Sequence, residues 1–175
     1  MPTSKNIIPA QAAHTEAILQ ITVDAGMFQV EEIGALREIL EGFHAAPDGN
    51  GQHFVVSVDA CDNPQNQTPT GAAYFGPNHM SDNAWDLWMI AVPPERQGQG
   101  IGCALVAHAE NLIQQAGGRL LIIETNSTAQ YEKTRKFYAQ RGYAQVGCIP
   151  DFYGNGEDKV IFCKRLFHAS TLLRD

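Results

Sequence analysis

The stretch Val92-Pro93-Pro94-Glu95-Arg96-Gln97-Gly98-Gln99-Gly100-Ile101-Gly102 decides the fold, because it joins an apolar run to an amphipathic one. Upstream, Trp85 to Val92 has the apolar and aromatic composition of a strand. Downstream, Ile101, Leu105, Ala109, Leu112, Ile113 and Ala116 recur at helical spacing until Gly117-Gly118. The join carries three glycines in alternation, Gly98, Gly100 and Gly102. Glycine accepts positive φ and lets a ligand approach the main chain, and successive amides at a helix N-terminus form an anion site that the helix dipole reinforces. A diphosphate fits such a place. A flexible strand-to-helix turn accounts for one glycine easily and for three in this register poorly.

Toward the N-terminus, Lys5 to Ile8 reads as a first strand, after which Pro9 opens a helical stretch with Ala17, Ile18, Ile21 and Ala25 on one face and Gly26 as its stop. Val30, Ile33, Leu36, Leu40 and Phe43 predict a second helix that ends before the turn signal Asp48-Gly49-Asn50-Gly51. His53 to Val58 and Gly71 to Phe75 read as strands around the polar loop Cys61 to Pro69, completing a meander with Trp85 to Val92. Toward the C-terminus, Leu120 to Ile123 has the continuous apolar character of a buried central strand, so the chain makes a strand, helix, strand crossover. Ser127 with Gln130 suits a capping box for a helix over about Gln130 to Arg141, closed by Gly142. Tyr143 to Cys148 and Lys159 to Leu166 supply two final strands. Meander plus crossover makes the class α+β, a mixed and mostly antiparallel sheet of six to seven strands with about four helices.

A chain of 175 residues suits one domain, spanning residues 1–175. Its formal charge of -7 argues against nucleic acid as a partner, since phosphate recognition needs clustered Lys and Arg. The N-terminal Met1 to Asn6 is polar and no run of apolar residues is long enough to span a bilayer, so the expected location is cytoplasmic, with no membrane partner. Cys61, Cys103, Cys148 and Cys163 lack paired spacing, and His53, His79 and His108 form no ligand cluster, so no metal is expected.

The anion bound by the glycine stretch can be narrowed. A P-loop needs Gly-Lys-Ser or Gly-Lys-Thr, and Gly102 is followed by Cys103-Ala104. A dinucleotide fingerprint from Gly98 would put its last small residue at Cys103, on a strand that follows an antiparallel meander instead of opening a βαβ repeat. Gln97, Gly100 and Gly102 instead fit the pattern Arg/Gln-x-x-Gly-x-Gly/Ala of the GNAT (GCN5-related N-acetyltransferase) superfamily. Trp85 to Val92 resembles that family's fourth strand. Phe137-Tyr138-Ala139-Gln140-Arg141-Gly142-Tyr143 resembles its helix-ending Phe/Leu-Tyr-x-x-x-Gly-Phe/Tyr. The likeness covers about residues 84 to 166. Glu124 to Ser127, Tyr131 to Tyr138 and Asp151 to Lys159 further resemble a bacterial, small-molecule subgroup whose substrate is unassigned.

The resemblance implies the GNAT fold and acetyl-CoA as cosubstrate, its pyrophosphate on the amides of Gln97, Gly98, Gln99, Gly100, Ile101 and Gly102. Its pantetheine arm would lie along Ile90, Ala91 and Val92, in a cleft opening between the strands that end near Val92 and Thr125. The implied reaction is acetyl transfer to a primary amine by direct attack in a ternary complex, and the alternative is a non-catalytic acyl-CoA sensor of the same fold. The acceptor would be a small-molecule or peptide amine, contacted by residues 26 to 50 and 149 to 158. A homodimer is also compatible with the resemblance. By the same likeness Tyr138 is the candidate proton donor to the departing thiolate, against the alternative that it packs a helix face with Phe137. For the base, Asp86 interrupts an apolar strand where histone-acetylating relatives carry a glutamate, Glu124 at the end of the next strand competes with it, and water alone is the third alternative. Asn126 either bonds cofactor or substrate or caps a turn. Arg135 contacts a phosphate or pairs with Glu132 or Asp151.

Overall fold

The computed structural model describes residues 5–46, 50–59 and 67–166, so most of the loop expected over Cys61 to Pro69 and the Asp48-Gly49 part of the turn signal lie outside the described residues. The strands are β1 (Asn6–Pro9), β2 (His53–Val58), β3 (Pro69–Pro77), β4 (Ala84–Ala91), β5 (Leu120–Asn126), β6 (Ala144–Gly154) and β7 (Glu157–Arg165). The helices are α1 (Thr15–Asp24), α2 (Ile33–Ala45), α3 (Ile101–Gln115) and α4 (Glu132–Gln140). The strands form one seven-stranded sheet in the order β1-β2-β3-β4-β5-β7-β6. β4 and β5 pair in parallel from Ala84↔Leu120 to Leu87↔Ile123, while the β1–β2, β2–β3, β5–β7 and β6–β7 ladders are antiparallel. This is the mixed α+β sheet expected from the sequence.

Several boundaries differ from the sequence reading. Pro9 closes β1 instead of opening a helix, and a 3-10 turn over Ala12–His14 leads into α1. Val30 is 63% exposed and precedes α2, because the chain turns from Gly26, with φ of 71°, through residue 32. The capping box does not form: α4 begins at Glu132, and Ser127 is drawn to β7, its N–H donating to the Asp158 carbonyl and its Oγ accepting from the Asp158 N–H. β6 runs to Gly154, well past Cys148, through an irregular stretch after Ile149. Pro150 is tolerated there because β6 is the edge strand of the sheet and need not donate on both sides.

The chain divides into two compact units, Met1–Gly76 with Met89–Asn111, and Pro77–Trp88 with Leu112–Asp175. In the first, α1 and α2 lay Ile18, Leu19, Leu36 and Leu40 on the sheet face of Phe54, Val56, Val58 and Ala72. Phe54 stacks on Tyr74 at 3.9 Å between ring centroids. Each fully buried aliphatic or aromatic side chain here contributes about 1.5–3 kcal/mol. On the opposite face Ile101 and Leu105 of α3 nest against Gly71 of β3: a Cβ there would lie 2.7 Å from Ile101 Cγ2 and 3.2 Å from the Ala91 carbonyl oxygen. In the second unit Leu87, Leu121, Ile123, Val160 and Phe162 make one buried sheet face, and Tyr138 and Tyr143 pack on it. Among the described residues no helix is long and apolar enough to cross a membrane.

Gly71→Ala forces this packing apart and is expected to destabilise the fold by about 1–3 kcal/mol. Gly42→Ala, in exposed helix where an added Cβ meets nothing, should be neutral or stabilising by up to about 1 kcal/mol. Urea denaturation of the two variants checks the contrast.

Candidate active site

In the first unit the end of β4 is followed by Pro93 and a 3-10 turn over Pro94–Arg96, and the chain then bends sharply into α3. Gly98 and Gly100 have φ of 75° and 80°, values that other residues reach only with strain. The space where their Cβ atoms would lie is open, so the backbone of the bend is accessible. The Gly100 carbonyl accepts the Ala104 N–H at 3.0 Å, the first hydrogen bond of α3. Helix geometry puts the amides that open α3, those of Ile101 and Gly102, at the positive end of its dipole. Two side chains brace the bend from outside. Gln97 Nε2 donates to the Val92 carbonyl and Gln99 Nε2 to the Glu95 carbonyl, each at 3.0 Å. The Val92 carbonyl is therefore already engaged by Gln97, which sequence reading did not foresee. Ile90 is half-buried and Ala91 buried at the close of β4.

In the second unit, strand alternation sorts the other candidates. Asp86 is the partner of Ile122, and Glu124 and Asn126 follow Ile122 at intervals of two, so all four share one sheet face. Across the β5–β7 ladder, Cys163, Ile161 and Lys159 oppose Ile122, Glu124 and Asn126 and extend that face. Tyr138 belongs to the other face, only 3% exposed, with its ring 6.0 Å from Phe162, 5.7 Å from Tyr143 and 5.3 Å from Phe137. Its packing role is therefore real. Burial pushes its phenol well above its ordinary pKa, so it holds its proton through the neutral range.

Asp86 is half-buried and its Oδ2 accepts from Asn78 Nδ2 at 3.0 Å. Desolvation raises its pKa, the Asn78 hydrogen bond lowers it, and repulsion from Glu124 raises it, with a net upward shift. Asn78 is held by its own turn, its N–H donating to the Ala84 carbonyl and its Oδ1 accepting from the Met80 N–H. The polar run Asn78 to Asn83 gave no hint that one of its members orients Asp86. Glu124 is committed differently: its Oε2 lies 2.6 Å from Lys159 Nζ. Accepting a substrate proton at that oxygen would first require breaking an ion pair.

Two residues expected at the cofactor hold the turn after β5. Asn126 donates through Nδ2 to Glu157 Oε2 and accepts the Thr128 N–H on Oδ1, so its amide caps a turn. Arg135 gives Nη1 to the carbonyls of Asn126 and Thr128, at 2.7 and 2.8 Å. Neither expected acidic partner holds it: Glu132 pairs with Lys136 one turn on, and Asp151 Oδ1 accepts the Gly156 N–H. The carbonyls of Asn126, at the end of β5, and Thr128, just past it, need a donor, and the Arg135 guanidinium supplies it to both.

The first unit thus carries an open, glycine-built bend at the start of a helix, and the second a half-buried strand carboxylate with a raised pKa. A family model described as the acetyltransferase (GNAT) domain matches residues 49–145, more than half of the chain. The protein belongs to the GNAT family and is by class an N-acetyltransferase. No curated protein matches it. Among solved structures, one described as an acetyltransferase of the GNAT family from Desulfovibrio desulfuricans is 28% identical with a TM-score of 0.84, over 94% of this chain and 100% of that one. An aminoglycoside 6'-N-acetyltransferase complexed with coenzyme A shares the fold at 19% identity and a TM-score of 0.73, over 93% and 97% of the two chains. The ribosomal-protein-S18-alanine N-acetyltransferase of Escherichia coli does so at 19% and 0.72, over 98% and 99%.

The electrostatics of Asp86 can be checked directly. Asn78→Ala removes a donor to the charged form and is expected to raise the Asp86 pKa, while Glu124→Gln removes a repelling charge and is expected to lower it. Carboxyl carbon shifts followed by NMR against pH read both directions.

Proposed function

We propose that this protein transfers an acetyl group from acetyl-CoA to a primary amine by direct attack, and that residues 1–175 serve this activity as one domain. The observation that carries the proposal is the bend at Gly98 and Gly100, whose positive φ values turn accessible backbone toward the start of α3. The amides of residues 97–102 hold the pyrophosphate of the cosubstrate, where the helix dipole favours its charge. Backbone at Ile90 and Ala91 receives the pantetheine arm and polarises the thioester carbonyl.

The neutral amine attacks the carbonyl carbon, a C–N bond forms, and the C–S bond breaks as the tetrahedral intermediate collapses. One proton leaves the nitrogen and one reaches sulfur. Asp86 accepts the first, directly or through water, and its raised pKa brings it closer to the range in which a carboxylate is an effective base at neutral pH. Tyr138 serves the sulfur. A buried phenol above about 10 is a weaker acid than a thiol near 8.5, so it acts first as a hydrogen-bond donor to developing negative charge, with proton transfer following bond cleavage.

Acetyl-CoA is expected to bind in calorimetry, and amines to release free thiol. Tyr138→Phe should keep that affinity while lowering kcat by about a hundredfold when chemistry is rate-limiting. Asp86→Asn should flatten the acid limb of the kcat/KM profile, since activity that needs the carboxylate is lost as pH falls through its raised pKa. Absence of acetyl-CoA binding overturns the proposal, and binding without thiol release from any amine leaves only the sensor alternative.

A further inference from the structure

Lys159 occupies a place that acetyl transfer does not use. Its ammonium lies 2.6 Å from Glu124 Oε2, 3.5 Å from the centroid of the Phe152 ring and 5.9 Å from that of Tyr153. The Lys159 side chain is 12% exposed, whereas that of Glu124 is 48% exposed. Phe152 and Tyr153 are themselves 50% and 47% exposed, and their rings meet edge to face at 4.9 Å. A carboxylate beside aromatic faces is a receptor for an ammonium, because the ring quadrupoles and the carboxylate attract the same sign of charge.

The face carries Arg165 at its far end, opposite Leu120 and beside Cys163, and carboxylates at the Lys159 end. Glu157, two residues before Lys159, brings a further carboxylate, hydrogen-bonded to Asn126, and Asp86 lies on the same face. At the Lys159 end the carboxylates of Glu124 and Glu157 outnumber the Lys159 ammonium, while Arg165 lies six residues along β7. An anionic ligand would have to draw Lys159 from Glu124 and then face the other carboxylates. A cationic one is attracted by Glu124 and Glu157 once Lys159 withdraws on its flexible four-carbon stem.

We propose that Glu124, Phe152 and Tyr153 form the subsite for a second, non-reacting ammonium of the acceptor, and that Lys159 is its tethered occupant, displaced by acceptors of the diamine or polyamine class. The proposal rests on the acetyl transfer described above and specifies its acceptor. Removing the occupant should therefore improve binding, an effect that a merely structural lysine would not produce.

The test compares 1,5-diaminopentane, pentylamine and 5-aminopentanoate, chains of equal length that differ in the charge at the far end, by calorimetry and by thiol release. The diamine is expected to bind best. Lys159→Met, with Lys159→Gln as a second variant, should tighten diamine binding about fivefold, and Glu124→Gln should weaken it about fivefold, the scale of one exposed ion pair or cation–π contact. Pentylamine binding should be unchanged by either Lys159 substitution. Preference for 5-aminopentanoate, or diamine binding that stays equal or weakens in both Lys159 variants, overturns the proposal. Failure of acetyl-CoA to bind would refute the transfer chemistry while leaving the diamine measurement readable. Transfer to all three chains without discrimination would refute the subsite and leave the chemistry standing.

Discussion

Positive φ at two positions separated by one residue is the constraint on which the functional half of the molecule turns. Gly98 and Gly100 reverse the chain between a buried strand and a fifteen-residue helix, and any side chain at either position would strain the backbone. The bend therefore presents main-chain amides where another sequence would present side chains. Its shape is kept from both directions: Gln97 and Gln99 reach back to carbonyls before the bend, and Ile101 anchors the start of α3 in the gap left by Gly71. An anion held at such a bend, as proposed above for the cosubstrate's pyrophosphate, needs no cationic side chain.

A different economy governs the sheet around β5. The apolar face there is closed by an aromatic cluster that includes Tyr138, and the polar face carries carboxylates whose fates differ by neighbourhood. Asp86 sits partly out of water with an amide donor and a repelling carboxylate, so its proton is held more tightly than usual. Glu124, two residues farther along β5 than the partner of Asp86, is neutralised by Lys159 and half-open to solvent. Identical chemistry on one face is thereby divided into a group suited to proton transfer and a group suited to holding charge.

The fold was legible because its signals are local and repetitive. Helical spacing in α3, the β-branched run of β5 and the glycines that end helices are each read within a few residues, and the structure has those elements in that order. Errors gathered where a distant partner outbid local chemistry. Ser127 has the chemistry and spacing of a cap, yet Asp158 of β7 claims both its N–H and its hydroxyl. Arg135 suggested a phosphate or an acid, yet the unsatisfied carbonyls of a turn were nearer. The long arm of β6 was missed beyond Cys148, because Pro150 and Asp151, with φ of 53°, break the alternation that marks a strand.

The amino-acid sequence by itself determined the class of the sheet and the glycine bend, since each depends on backbone freedom or on a period that neighbouring residues impose, while Tyr138 and Asp86 stood out only through resemblance to the GNAT family. Tertiary structure alone decided that Asn78 orients Asp86, that Lys159 pairs with Glu124, and that Phe152 lies under that ammonium. These pairs are separated by turns and by strand register, and electrostatics between side chains follows distance in space, which no spacing along the chain encodes.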